Sequence, residues 1–270
     1  MSEELNDLAK SAAQGVAEGL SKQIVPPVYP DLLKPATQQV GKALGTLAGV
    51  INVALSPLQA MVWGYERIGD WLAENLEEKL KGVSPDDIQT PNPAVAGPSL
   101  EALRFTANDV NLRELYANLI ANAMNKNSSQ LAHPGFVEII KNLSTDEAII
   151  FDFLASSIIN PLVDVSIELD QDRGQHLLES NLMIIPPELD EKLDFRLNLS
   201  AAIVNLSRLG LIEIPSGMAY TKKSNYDTLK SQIMSRYNNR SDIIIEEKML
   251  IMTDFGKQFK LACLSNTEPA

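Results

Sequence analysis

Cysteine and histidine are nearly missing from this chain: its 270 residues include one cysteine, Cys263, and two histidines, His133 and His176. A single thiol forms no intrachain disulfide framework and no thiolate zinc cluster, and two imidazoles leave little for a metal site. That usage fits a reducing cytosol, so a cytoplasmic protein is expected, with peripheral or inducible membrane association as an extension of the same reading. No basic stretch followed by an apolar core and a small-residue cleavage site opens the chain, so secretion is not indicated. Basic charge is scarce as well, 23 Lys and Arg against 35 Asp and Glu, a net of -12. A surface of that overall sign does not embrace nucleic acid, because phosphate binding draws on clustered cations. Catalytic signatures are also absent: no Gly-x-x-x-x-Gly-Lys-Ser/Thr, no Gly-x-Ser-x-Gly and no His-Glu-x-x-His occurs, which excludes the phosphate cradle, the nucleophile elbow and the zincin helix.

What is present is apolar residue in quantity, 45% of the chain, enough for a real core and for two folded units. The expected fold is mainly α with a small β component: an N-terminal helical hairpin or bundle followed by a winged-helix-like α+β domain. Four parts are read, an N-terminal helical region over 1–81, a Pro/Gly linker over 82–99, core helices over 100–159 and a winged-helix-like domain over 160–270.

Residues 2–23 read as an amphipathic helix, and Pro26, Pro27, Pro30 and Pro35 punctuate a hinge after it. From Ala43 to Tyr65 nothing is charged. As a helix this run would extend about 34 Å, close to the hydrocarbon thickness of a bilayer. Two readings of the apolar helix at 40–65 stay open. In one it is a buried hairpin, helix 40–55, a break at Ser56-Pro57 and helix 58–81. In the other it touches or enters a membrane, with Trp63, Tyr65 and Trp71 as interfacial aromatics. Gly41, Gly45 and Gly49 recur every fourth residue and form a strip that admits a close neighbour, a candidate interaction surface.

Residues 109–153 carry the clearest helical signal. Leu112, Leu115, Tyr116, Leu119, Ile120 and Ala123 fall on one stripe, and Ser144 with Glu147 makes a capping box before Ile149, Ile150, Phe153 and Leu154. The run Ala94–Gly97, then Leu112-Arg113-Glu114-Leu115-Tyr116-Ala117-Asn118-Leu119-Ile120-Ala121, then His133-Pro134-Gly135-Phe136-Val137-Glu138-Ile139-Ile140 and Leu143-Ser144, resembles the signature region of the bacterial abortive-infection alpha family. The resemblance implies a part in defence against phage and brings no catalytic residues with it. Its signature positions here are Leu112, Leu115, Tyr116, Asn118, Leu119, His133, Pro134 and Phe136.

Farther on the period changes. Val163, Val165, Ile167 and Leu169 alternate with polar residues as a half-buried strand, while 176–185 reads as either strand or helix. The pieces Leu206-Ser207-Arg208-Leu209-Gly210-Leu211-Ile212 and Ile251-Met252-Thr253-Asp254-Phe255-Gly256 resemble a winged-helix arrangement. Between them lies a basic insert with a helix expected at Tyr226–Arg236. Charge is uneven here, net -10 over 142–194 and net +5 over 195–241. Arg208, Lys222, Lys223, Arg236 and Arg240 are therefore candidate contacts for nucleic acid or another anion, although the helix that would read bases offers only Asn198, Asn205, Ser207 and Arg208.

His133 is expected to cap or pack, with a general-base role as the alternative, and Cys263 to act as a small buried hydrophobe. Asp164, Glu168, Asp170 and Asp172 lack the spacing of a calcium loop. No enzyme, no cofactor and no small-molecule substrate is expected. The expected partner is another protein or a second copy of the chain, with a membrane as a further option and nucleic acid not favoured.

Overall fold

The structure is a computed structural model, and it describes residues 47–59, 66–106, 109–169, 174–194 and 198–264. The expected helix at 2–23, the proline hinge, Gly41, Gly45, Trp63 and Tyr65 lie outside the described residues. Gly45–Ala270 clusters as one unit, apart from Met1–Leu44, and the elements below belong to the former.

Five helices build the first part of that unit. They are α1 (Leu47–Gln59), α2 (Glu66–Lys79), α3 (Pro93–Thr106), α4 (Val110–Met124) and α5 (Gly135–Lys141), followed by α6 (Thr145–Ser156). On α1, Ile51, Ala54 and Leu55 sit one turn apart and are buried, and the helix runs through Pro57 where a break was expected. On α2, Ile68, Leu72, Leu76 and Leu80 recur every fourth residue and face inward. No helix among the described residues is long and apolar enough to cross a membrane.

The expected linker is different in the structure. Residues 93–99 open α3, which starts on Pro93, a residue whose missing N–H costs nothing at the first helical position. Val95, Ala96 and Ser99 are buried on it. The preceding stretch is pinned to the end of α4, since Gln89 N donates to Met124 O (2.8 Å) and Lys126 N to Asp87 O (2.9 Å). Proline and glycine here punctuate turns within a core instead of separating two.

α4 is the axis of the molecule. Asp109 caps it by accepting from Leu112 N at 3.0 Å, and from Leu115 to Met124 every residue is buried. A helix buried all round needs neighbours on every side, and α2, α3, α5, α6 and the C-terminal turn supply them. The expected capping box is present on α6, where Glu147 N donates to Ser144 Oγ (3.2 Å) and Ser144 N to Glu147 Oε2 (2.8 Å).

Next come β1 (Asn160–Glu168), β2 (Gln175–Leu182), the single turn α7 (Pro187–Asp190), α8 (Leu199–Arg208), β3 (Ile212–Glu213), α9 (Asp227–Arg236), β4 (Ile243–Met252) and α10 (Asp254–Phe259), which runs into a π-helical turn at Lys260–Leu264. The four strands form one antiparallel sheet in the order β2-β1-β4-β3. Helix predominates among the described residues, so the chain is mainly α with a small β part. β2 is irregular against β1, with register shifts after Val163 and Val165. Asn181, at a positive φ of 54°, accommodates one of them. Its N–H donates to Asp164 Oδ1 (2.8 Å), while Lys248 Nζ donates to Asp164 and to Asn181 Oδ1 (2.8 Å), so a cluster spanning β4, β1 and β2 fixes the irregularity.

Two features of the winged-helix expectation are seen: α8, then Gly210 at φ 74°, then β3; and β4, then Thr253 capping α10. Residues 214–242 between β3 and β4 carry α9 where a wing would be, and β4 continues past β3 to pair with β1 from Asn160↔Leu250 to Ile167↔Ile243. α9 closes a second, small core of Val163, Val165, Tyr226, Leu229 and Ile233. The main core is continuous from Ile51 on α1 to Cys263 in the last turn, so the boundaries expected at 82–99 and near 160 do not separate cores.

Candidate functional site

The signature residues converge on the C-terminal turn. Asn118 and Asn122 are 5% and 2% exposed, one helical turn apart on α4. Asn118 Nδ2 donates to Cys263 O (2.7 Å) and Asn122 Nδ2 to Ala262 O (3.0 Å). A π-helical turn leaves carbonyls poorly paired, and two buried amides from the central helix take them up. Phe136 meets the same segment: its ring lies 5.0 Å from that of Phe255 and 5.2 Å from that of Phe259, the latter edge-on. Leu115, Tyr116 and Leu119 are core, and Leu112 packs against it. His133 caps, as expected: Gly135 N donates to its Nδ1 at 3.0 Å, and its ring stands 5.6 Å from Phe255 beside the exposed Pro134.

Beside this junction lies a groove of about 920 Å³ between α4 and α6. Leu115, Ala148 and Cys263, all nearly inaccessible, line its depth, and Ile149, Phe153, Leu189 and Leu264, all half-buried, line it with them. Its polar lining is Asn111, Glu114 and Asn118 from α4, Asp152 and Ser156 from α6, and Lys192 beyond α7. Glu114 accepts from Asn75 Nδ2 (2.9 Å) and pairs with Lys79 (2.8 Å).

The reactive side chains of this region are engaged structurally. Burial pushes the Cys263 thiol well above its usual range, which disfavours the thiolate that a nucleophile needs. Burial, then Glu138, then Cys263 push the Tyr116 phenol up in the same way, and Tyr116 Oη is buried with no hydrogen-bond partner. The hydroxyl of Ser156 donates to Asp152 O of its own helix at 2.9 Å. Among the described residues no group of His, Cys, Asp and Glu side chains is arranged to hold a metal ion.

The other candidates are dispersed. Gly49 lies on the α1 backbone, apart from the two undescribed glycines of its strip. Trp71 is half-buried against the main core with the Arg113 guanidinium 5.0 Å from its ring centre. The basic candidates pair with the sheet and its neighbours. Lys223 and Lys230 both bind Glu247. Arg236 binds Glu179 at 2.9 Å and Arg240 binds Asp242 at 2.5 Å. Arg208 donates twice to Asn205 Oδ1, at 3.0 and 2.7 Å, and Lys222 is exposed. The two lysines hold the Glu247 carboxyl below its usual range, Lys223 contributing most, and Arg240 does the same for Asp242. A hydrogen bond to Glu179 pushes the Tyr237 phenol up.

Sequence reasoning named Asn118 but missed Asn122 and the groove. The signal was there in part: two amides at i and i+4 within the uncharged run 115–124 point to a buried polar tie. The groove is made by helices distant in sequence, and no local pattern announces it.

Residues 64–263 match the family model described as abortive infection alpha. No curated protein matches. One solved structure, of an uncharacterized protein from the hydrocarbon-degrading marine bacterium Alcanivorax borkumensis SK2, is similar at 14% identity and a TM-score of 0.27 over 50% of this chain and 92% of that one.

Proposed function

Because this chain belongs to the abortive infection alpha family, its role is of the abortive-infection type, and we propose that it works by touching another macromolecule rather than by catalysis. The observation that carries this reading is the use of the reactive groups in the groove and the neighbouring junction. The imidazole of His133 caps a helix, the thiol of Cys263 is sealed in the core, and the Ser156 hydroxyl bonds its own helix. None of these is paired as nucleophile and base. The groove is the contact surface we favour, since most of the basic candidates at 195–241 already hold carboxylates. Burial of Ile51, Ala54 and Leu55 on α1 supports a scaffold role for residues 47–59.

The test is phage plating on cells that express the chain or a variant with Ile149→Trp, which fills the half-buried groove wall. Protection is expected to be lost while circular dichroism stays unchanged. Full protection by a folded Ile149→Trp chain would contradict contact through the groove. Cell fractionation before and during infection reads the membrane question separately.

A further inference from the structure

The groove has a chemistry of its own beyond being a recess. Its long walls are two helices, its depth is apolar, and its surroundings are acidic. Asp152 stands exposed on one wall and makes no ion pair with a described residue. Across from it, the lining Glu114 is tied to Asn75 and Lys79 of α2. At a third side Leu189 and Lys192 line the groove, and Glu188, Asp190 and Glu191 are exposed in the same turn. Lys192 is the one cation among the lining residues. Within the groove, Asn118 is 95% buried, as its exposure of 5% gives, and its Nδ2 is taken by Cys263 O while its Oδ1 accepts from no described residue. An apolar trough rimmed by carboxylates, with an amide acceptor inside, fits a ligand that is apolar on one side and cationic on the other.

We propose that the groove docks a basic amphipathic helical segment of a partner protein, its apolar face on Leu115, Ala148 and Phe153 and its Lys or Arg residues toward Asp152 and the carboxylates of the α7 turn. This rests on the reading that the groove is a contact surface and adds the kind of partner. Helix-in-groove docking draws affinity from apolar side chains at i, i+3, i+4 and i+7, while the rim charges set orientation and exclude acidic competitors. The net charge of -12 favours encounter with a cationic segment over an anionic one.

The experiment titrates the full chain with labelled peptides of about 14 residues, roughly 21 Å as helices: a Leu/Lys amphipathic helix, its scrambled isomer, and a Leu/Glu counterpart. The Leu/Lys helix is expected to bind and the Leu/Glu helix not. The scrambled isomer should bind about tenfold more weakly or worse, because its apolar face is dispersed. Asp152→Lys should weaken the Leu/Lys helix by about tenfold and Lys192→Glu should tighten it, while Glu213→Lys on β3 leaves it unchanged. Equal binding of the scrambled peptide, or no effect of both rim variants, would overturn the proposal, since attraction to any acidic surface would then suffice. Failure here with protection still lost in Ile149→Trp refutes only the basic-helix partner and leaves the contact reading standing.

Discussion

Two residues fix the junction between α8 and α10. Thr253 Oγ1 donates to Gly210 O (2.6 Å) and accepts from Gly256 N (2.8 Å), which draws the start of α10 against Leu211. A Cβ at Gly256 would stand 2.0 Å from Leu211 O, a backbone atom that cannot swing aside. Gly256→Ala is therefore expected to cost about 2–3 kcal/mol in denaturant unfolding, and an unchanged midpoint would show that the two segments separate easily. Tyr116 poses the opposite case. Its hydroxyl lies buried without a partner, so Tyr116→Phe removes an unsatisfied group and should leave stability equal or raise it by about 1 kcal/mol. A loss of more than that would mean the hydroxyl is bonded in solution. Such single-atom facts were mostly illegible beforehand: the sequence shows Thr-Asp-Phe-Gly, but not that the carbonyl of Leu211, just before β3, lies where the glycine's side chain would be.

At the scale of elements, α9 and its sheet depend on charge as well as packing. The second core has five buried residues, and Glu247 on β4 bridges Lys223 and Lys230 at its edge. Because these lysines depress the Glu247 carboxyl in the folded state, the stability they add is present above the ordinary carboxylate range and is lost as pH falls through the lower folded value. Hydrogen-exchange protection in 226–236, relative to the intrinsic rate at each pH, should fall on acidification, and Glu247→Gln should flatten that dependence. An identical pH profile in the variant would remove Glu247 as its source. Elements with strong local periodicity were legible: α4, the capping box of α6, and the alternating strand that is β1. Two failed for identifiable reasons. Prolines at 93 and 98 read as linker because composition does not reveal that Pro93 starts a helix, and Pro57 read as a break in a helix that continues. The irregular β2 gave no periodic signal because its register shifts disrupt the alternation.

For the whole molecule, the family signature and the C-terminal turn form one structure, joined over 145 residues of sequence by Asn118 to Cys263. A chain ending after Met252 would lose Phe259, Ala262 and Cys263 from the core and leave the buried Asn118 amide without its acceptor, while Asn122 would keep only Asn118 O. It is expected to lose cooperative thermal unfolding, whereas a sharp transition in such a chain would show that the helical part stands alone. The family supports an abortive-infection-type role, and Asn118 of its signature ties α4 to the last turn. The most direct measurement is phage plating efficiency on cells carrying His133→Asn with Cys263→Ala, since asparagine retains an acceptor two residues before Gly135 and alanine retains an apolar side chain in the core. Protection equal to that of the unaltered chain is predicted; its loss in a double variant that folds normally would mean that the imidazole or the thiol performs chemistry.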